Sequence, residues 1–256
     1  MRIRQLALVA RDLIPLVPHL QKVFGLGDGF EDPGVGSFGL VNAVLPVGDT
    51  FLEVVSPKQE GTTAGRLLER RAGDGGYMVI IQVDGDDLSL TRERDRMKDL
   101  GVQVVFDHAL ENIATLHLHP RDVGAAILSL DVACPADSWL WAGPGWEDRT
   151  RSDVVQGIVG AALQSKDPLA TAERWAQILD RRLESNREGE PLLPLDGGSS
   201  LRFLADRDGR GDGLAEIDLA TPVPDQALEN ARTLGLPVDS ANRSVYLGGV
   251  RFRLIG

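Results

Sequence analysis

The stretch Ala7-Leu8-Val9-Ala10-Arg11-Asp12-Leu13 returns in outline at Ala162-Leu163-Gln164-Ser165-Lys166-Asp167-Pro168. A second pair, Leu100-Gly101-Val102-Gln103-Val104 and Leu234-Gly235-Leu236-Pro237-Val238, falls at a later stage of the same pattern. In that pattern a strand leads to a helix and then to a short meander of strands. Because internal repeats indicate architecture before any single motif does, the chain predicts four consecutive units of this kind, two in each half.

The first unit illustrates the pattern. Residues 3–10 form an extended apolar run, and Asp12 with Pro15 predicts the start of a helix. Apolar side chains then recur at helical spacing until Gly25 or Gly27 ends the helix. Further strands are predicted at 41–45, 50–55, 77–83, 103–106, 113–119 and 125–130, further helices at 63–71 and 88–100, and a turn at 46–49.

Length and composition suit a globular protein of one large domain or two ordinary ones, and the internal repeat favours two. The chain has 256 residues, 43% of them hydrophobic, and its mean hydropathy is −0.09, which suits two apolar cores. We predict a first domain at 1–133, a connector at 134–153 and a second domain at 154–256. The connector is rich in Pro, Gly and Trp, and its tryptophans are expected to pack over the first domain and the mouth of its pocket: Trp139, Trp141 and Trp146.

Charge and cysteine content restrict the partners. A net charge of −11 argues against unspecific nucleic-acid binding, which needs a basic surface. No apolar run approaches a membrane span, and the first residues lead into a strand without a signal-peptide pattern. The single cysteine, Cys134, excludes an internal disulfide and suits a reducing compartment. We therefore expect a cytoplasmic protein without nucleic-acid or membrane partners.

Four short motifs in the first half, in this order and spacing, resemble the vicinal oxygen chelate superfamily, which includes glyoxalase I, bleomycin-resistance proteins, methylmalonyl-CoA epimerase and extradiol dioxygenases. Together they cover most of residues 3–132, whereas the second half matches in pattern alone. The motifs are Val9-Ala10-Arg11-Asp12-Leu13, Thr50-Phe51-Leu52-Glu53-Val54-Val55-Ser56-Pro57, Val83-Asp84-Gly85-Asp86-Asp87-Leu88 and His119-Pro120-Arg121-Asp122-Val123-Gly124.

The resemblance implies an α+β fold in which tandem βαβββ units pair into two half-open glyoxalase-like barrels, each able to hold a divalent metal on its concave face. The superfamily's ligand positions fall here on Gln5, Glu53, Met78 and Ser129. Glu53 is a strong donor and Gln5 a weak one, while a thioether and a hydroxyl suit such an ion poorly. We therefore expect no cofactor, and leave a divalent metal at a displaced site as the alternative.

In the second half the corresponding positions are Gly160, Arg202, Leu214 and Arg253. Arginine is cationic at every relevant pH and cannot ligate a metal. Successive side chains of a strand point to opposite faces of the sheet, and this alternation places three arginines and two carboxylates on the concave face. They are predicted either to bind an anionic ligand or to pair with one another: Arg202, Glu216, Asp218, Arg251 and Arg253.

Strand parity also predicts what lines the first barrel. The inward set is mostly apolar with a few placed polar groups, as small-molecule pockets usually are. Glu53 is either a general acid or base with a raised pKa, or a partner in hydrogen bonds to Gln5 or Gln82. The inward residues are Gln5, Ala7, Phe51, Glu53, Val55, Met78, Ile80, Gln82, Ile127 and Ser129.

His117 and His119 lie two residues apart and therefore share one face of a strand. If that face is concave, the pair can join Glu53 as acid–base partners or in a relocated metal site. The alternative is that both histidines are packing residues.

From these observations we expect a module that binds or sequesters a small organic molecule in the first barrel, in the manner of bleomycin-resistance proteins. The alternative is a lyase, isomerase or dioxygenase of the superfamily, either metal-independent with Glu53 as acid or base, or with a relocated metal. Members of the superfamily with two units often dimerise, and a chain with four units can form the same interfaces within itself. The sequence is therefore compatible with a monomer and with a homodimer. Candidate ligand-binding residues are Gln5, Phe51, Met78, Gln82, Ser129, Arg202 and Arg253, and candidate catalytic residues are Glu53, His117 and His119.

Overall fold

The computed structural model describes residues 1–85 and 88–256. Its fold is α+β, with two mixed sheets and short helices. The fold class predicted from the sequence is thus confirmed, although neither sheet closes into a barrel. Asp86 and Asp87, which belong to the motif at 83–88, lie outside the described residues.

The first sheet has seven strands in the spatial order β2-β3-β1-β4-β7-β6-β5. They are β1 (Arg2–Val9), β2 (Leu40–Val47), β3 (Thr50–Pro57), β4 (Gly75–Gln82), β5 (Val104–Ala109), β6 (Ile113–Leu118) and β7 (Ile127–Ala133). The helices of this half are α1 (Leu16–Phe24), α2 (Thr63–Arg70), α3 (Thr91–Asp99) and α4 (Pro120–Val123), with a 3-10 helix at Pro33–Phe38.

The second sheet has eight strands in the order β13-β14-β15-β12-β8-β11-β10-β9. They are β8 (Gly157–Ser165), β9 (Glu184–Ser185), β10 (Pro191–Pro194), β11 (Ser200–Ala205), β12 (Gly213–Ala220), β13 (Val238–Asp239), β14 (Ser244–Leu247) and β15 (Val250–Ile255). Helix α5 (Trp146–Arg149) lies between the sheets in sequence, α6 (Pro168–Leu179) and α7 (Pro224–Thr233) follow, and 3-10 helices lie at Leu140–Ala142 and Asp196–Gly198.

All four units share one topology. In each, the first strand pairs in parallel with the last, as β1 does with β3 and β8 with β11. The first strands of neighbouring units pair antiparallel at the centre of each sheet, β1 with β4 and β8 with β12. The first unit has two meander strands, and a single bridge between Phe30 and Val44 stands where the other units place a third.

Two local expectations are corrected. Helix α1 begins at Leu16, after Pro15, so Asp12 does not cap it; Gly25 does end it, in the left-handed conformation at φ 65°. The turn between β2 and β3 is shorter than predicted, because Pro46 and Val47 still belong to β2. β2 is an edge strand, where proline is tolerated since one side of the strand needs no ladder partner.

One continuous apolar cluster joins the helix-bearing faces of both sheets. The rings of Phe24 in α1 and Phe252 in β15 lie 4.9 Å apart, and the indole of Trp175 in α6 donates a hydrogen bond to the carbonyl of Gly124 at 3.2 Å. A second, smaller apolar cluster lies on the concave face of the first sheet and includes the connector residue Trp139. Helix α2 contributes Ala64 and Leu68 to this second cluster, and the concave face beside them forms a cavity.

Candidate functional site

A cavity of about 610 Å³ lies on the concave face of the first sheet. Its wall is mostly apolar, and its polar groups come from all seven strands of the sheet and from Asp32, Ser37 and Trp141. Of the candidates predicted from the sequence, four line it: Gln5, Glu53, Met78 and His117.

Glu53 is the centre of the polar floor of the cavity. Its side chain is 6% exposed, and both carboxylate oxygens accept hydrogen bonds from amide groups. Gln5 Nε2 donates to Oε2 at 2.9 Å and Asn42 Nδ2 donates to Oε1 at 2.6 Å. Asn42 is itself held by the backbone N–H of Asp32, which donates to its Oδ1 at 2.9 Å.

Burial raises the pKa of Glu53 above its ordinary value, and the hydrogen bonds from Asn42 and Gln5 offset this in part. A carboxyl group with a raised pKa in an apolar cavity can exchange a proton with a bound molecule or accept a hydrogen bond from it. The two hypotheses for Glu53 therefore coexist, since it bonds to Gln5 and also lines the cavity.

A second buried carboxylate, Asp131, lines the same cavity. Thr115 Oγ1 donates to its Oδ1 at 2.9 Å, Ser129 donates to the same oxygen, and the indole of Trp141 donates to Oδ2 at 2.7 Å. Burial nevertheless raises the pKa of Asp131 from 3.8 to about 6, against the effect of these three donors. Near neutral pH Asp131 therefore lies close to its titration range.

His117 is half-buried at the wall of the cavity, with its ring 5.0 Å from that of Phe106. Desolvation lowers its pKa to about 4, so the imidazole is neutral at physiological pH. Tyr77 also lines the cavity, and burial, with a smaller contribution from the charge of Glu53, raises its pKa to about 12. Both side chains thus present uncharged polar groups to a ligand.

His119 has a different environment from His117, although the two lie close in sequence. Strand β6 ends at Leu118, and His119 caps α4 with its Nδ1 accepting from the N–H of Arg121 at 3.1 Å. It lines a neighbouring groove together with His117, whereas the cavity around Glu53 is lined by His117 alone of the pair.

Three other candidates lie behind the cavity wall and hold its parts in place. Phe51 is fully buried and stacks on Trp139 at 6.2 Å between ring centres. Gln82 donates to the carbonyl of Ala136 at 2.6 Å, which ties the connector to β4. Ser129 is fully buried and contacts Asp131 and Thr115.

The residues at the superfamily's ligand positions do not fit a chelated divalent ion. Both oxygens of Glu53 accept from amides, Met78 offers a thioether, and Ser129 is committed to Asp131. Within residues 1–85 and 88–256, no three His, Cys, Asp or Glu side chains converge as a metal cluster would.

Several lining residues were missed by the sequence analysis. Asp131 was missed because β7 was predicted to end at 130, whereas it continues to Ala133 and so places Asp131 on the same face as Ser129. Asn42 lies opposite Val55 in the ladder between β2 and β3. The alternation of side chains along β2 could have placed Asn42 on the concave face. Tyr77 and Thr115 were also missed, whereas Trp141 lines the cavity and had been expected to pack near the mouth of the pocket.

On the concave face of the second sheet, the predicted charged residues do meet. Arg202 donates to Glu216 at 3.0 Å and to Asp218 at 2.9 Å, and all three are at most 8% exposed. Arg253 lies 3.6 Å from Asp218, and Arg251 lies 3.6 Å from Glu216. Of the two alternatives for this face, the structure contains the network of mutual ion pairs.

The topology and the cavity together define a vicinal oxygen chelate-type fold. Two solved structures share it, each with a TM-score of 0.69: a hypothetical protein from Staphylococcus aureus, 11% identical, covering 99% of this chain and 98% of that one, and a triple mutant of 4-hydroxymandelate synthase from Streptomyces coelicolor, 17% identical, covering 94% and 78%. At these identities the likeness concerns the fold alone. No protein-family model and no curated protein sequence matches the chain.

None of the helices in the described part of the chain combines the length and the apolar character that crossing a membrane requires.

Proposed function

We propose that the chain binds a small, mostly apolar organic molecule in the cavity of the first sheet, without a chelated metal. The observation that carries the proposal is the combination of a mostly apolar cavity of about 610 Å³ with the buried carboxyl group of Glu53, which is held between two amides on its floor. Small-molecule sites usually have this composition. A ligand hydroxyl or N–H would donate to Glu53, since each of its oxygens retains a further lone pair.

The test uses two probes of equal shape, ethylbenzene and 4-ethylphenol, with binding measured by calorimetry and by the fluorescence of Trp141 in the cavity wall. The wild-type protein is expected to bind both. In the variant Ile127→Trp an indole fills the cavity from its half-buried edge, and binding of both probes is expected to be lost while the melting temperature is kept. Equal binding by wild type and variant would contradict the proposal.

A second candidate is a metal-independent enzyme that moves a proton on its ligand, as a lyase or isomerase does. It is favoured by one observation, two carboxyl groups of raised pKa that line the same cavity, Glu53 and Asp131. Phenylacetone in D₂O is a suitable probe, because abstraction of its α-proton by a carboxylate gives an enolate that solvent then deuterates. Exchange faster than in buffer, and lost in Glu53→Gln, supports this candidate; a rate equal to that in buffer counts against it.

A further inference from the structure

A second, larger groove opens beside the cavity, with a volume of about 1040 Å³. The two share part of their walls, including Phe38, Tyr77, Phe106 and His117. The cavity and the groove therefore adjoin one another along these side chains. We call the charged part of this groove the basic vestibule, formed by Arg66, Arg70, His119, Arg121, Lys166 and Arg210.

The charge of the basic vestibule is opposite to that of the protein. The chain has 38 acidic and 27 basic side chains, yet among the groove residues the one carboxylate is Asp212. Its Oδ1 accepts a hydrogen bond from the backbone N–H of Lys166 at 3.1 Å. Like charges gathered in one groove repel one another unless an anion compensates them.

In the described part of the chain, four cations of the basic vestibule have no carboxylate partner, whereas Arg210 is held by backbone carbonyls. Within the described residues, Arg66, Arg70, Arg121 and Lys166 form no ion pair with any carboxylate. Two arginines are already oriented by the backbone. Arg66 donates to the carbonyl of Gly61 at 2.6 Å, and Arg210 donates to carbonyls that include Arg71 at 2.9 Å.

His119 adds a further hydrogen-bond donor. Because its Nδ1 accepts from the N–H of Arg121, a neutral imidazole carries its proton on Nε2, which can donate to a ligand oxygen. Guanidinium groups match the oxygens of phosphate in a forked geometry, and several such donors around one groove suit a dianionic head better than a single carboxylate.

From this arrangement we infer that the ligand is an amphipathic phosphate ester, with its apolar body in the cavity around Glu53 and its phosphate in the basic vestibule. The inference deepens the proposed function and rests on it, because the apolar body needs the same cavity. The residues that select the phosphate would then lie in α2, at the start of α4 and in the segments before α6 and β12.

The experiment compares octyl phosphate, octanoate, octanol and octyltrimethylammonium by calorimetry at low and high salt. Octyl phosphate is expected to bind at least tenfold more tightly than octanol, with an advantage that shrinks as salt rises. The exposed pair Arg66→Gln/Arg121→Gln is expected to remove that advantage and leave octanol affinity unchanged. The matched control, Arg151→Gln/Arg187→Gln, removes two exposed charges that do not line the groove and should keep the advantage.

The outcomes separate the two proposals. Octanol binding with no gain for octyl phosphate overturns the phosphate inference and leaves the proposed function standing, and equal binding of octanoate overturns the choice of phosphate. Failure of all four probes and of ethylbenzene overturns both. Sedimentation of the protein with vesicles of phosphatidylcholine and phosphatidic acid would show that the phosphate ester is a membrane lipid, and its absence, with octyl phosphate bound, would show that the ester is taken from solution.

Discussion

The indole nitrogen of Trp139 donates a hydrogen bond of 2.7 Å to Oε1 of Gln5, a residue 134 positions earlier in the chain. The bond fixes the orientation of the Gln5 amide, so that its NH₂ group faces Glu53 at 2.9 Å. Trp139 is 1% exposed and comes from the connector. The segment between the two halves therefore orients the polar floor of the cavity.

Trp139→Phe is expected to destabilise the protein because it leaves Oε1 of Gln5 buried without a donor, at a cost of about 1–3 kcal/mol. The smaller ring also loses packing, so a double-mutant cycle with Gln5→Leu is needed to isolate the hydrogen bond. Urea unfolding of the four proteins should give a coupling free energy of about 1 kcal/mol. Additive effects of the two substitutions would show that the bond contributes nothing to stability.

The raised pKa of Asp131 predicts that the contribution of this residue to the free energy of unfolding decreases as pH rises. Its folded-state pKa is raised from 3.8 to about 6, so between these values the folded state holds more protons than the unfolded state. The stabilisation is therefore complete below about pH 4 and is lost as pH rises through about 6, by roughly 3 kcal/mol at 1.36 kcal/mol per pKa unit. Asp131→Asn should gain stability relative to wild type over this range, measured by urea unfolding from pH 4 to 8. Parallel profiles would refute the shift.

The lowered pKa of His117 predicts the opposite pH dependence: the contribution of this residue to the free energy of unfolding increases as pH rises. Burial lowers its pKa from 6.5 to about 4, so the unfolded state holds more protons between these values and stability increases with pH. His117→Gln should therefore lose this increase, and its unfolding free energy should fall more steeply than that of wild type between pH 4 and 6. Nuclear magnetic resonance of the imidazole provides a direct check: the signal missing from His117→Gln should not shift between pH 5.5 and 8 in wild type.

Much of the fold was predictable because it depends on local patterns that repeat. Ala172, Trp175, Ala176 and Leu179 are spaced as one face of a helix, and in α6 three of them are fully buried while Ala176 is half-buried. The parity argument placed Gln5 and Glu53 on one concave face for the same reason, since side chains alternate along any strand.

The rest of the site depends on contacts between distant segments, which no local pattern encodes. The link from Trp139 to Gln5 requires the connector to fold back on the first sheet. The basic vestibule brings Arg66 together with Lys166 from another unit, and the sequence analysis assigned a ligand to neither residue. Asp131 was missed because a strand continued three residues beyond its predicted end.

The ion-pair network of the second sheet gives a prediction about stability. Arg202→Met leaves Glu216 and Asp218 buried beside the more distant Arg251 and Arg253. Removing one member of a buried ion pair typically costs about 3–5 kcal/mol, whereas replacing all members by apolar residues is often neutral. We expect a loss near the lower figure for the single variant. Arg202→Met/Glu216→Leu/Asp218→Leu should recover most of it, and an undiminished loss in the triple variant would mean that packing, not charge, accounts for the effect.

Glu53 should determine which polar group the cavity prefers. In wild type, 4-ethylphenol is expected to bind about tenfold more tightly than ethylbenzene, since a hydrogen bond to a carboxylate contributes about 1.5 kcal/mol or more. In Glu53→Gln a neutral amide replaces the carboxylate, and a hydrogen bond to a neutral acceptor is weaker, so most of the preference should disappear. Ethylbenzene affinity provides the internal control, because it depends on the apolar wall alone. A preference that survives in Glu53→Gln would assign the phenol hydroxyl to another group, and Asp131, which lines the same cavity, would then be tested by Asp131→Asn.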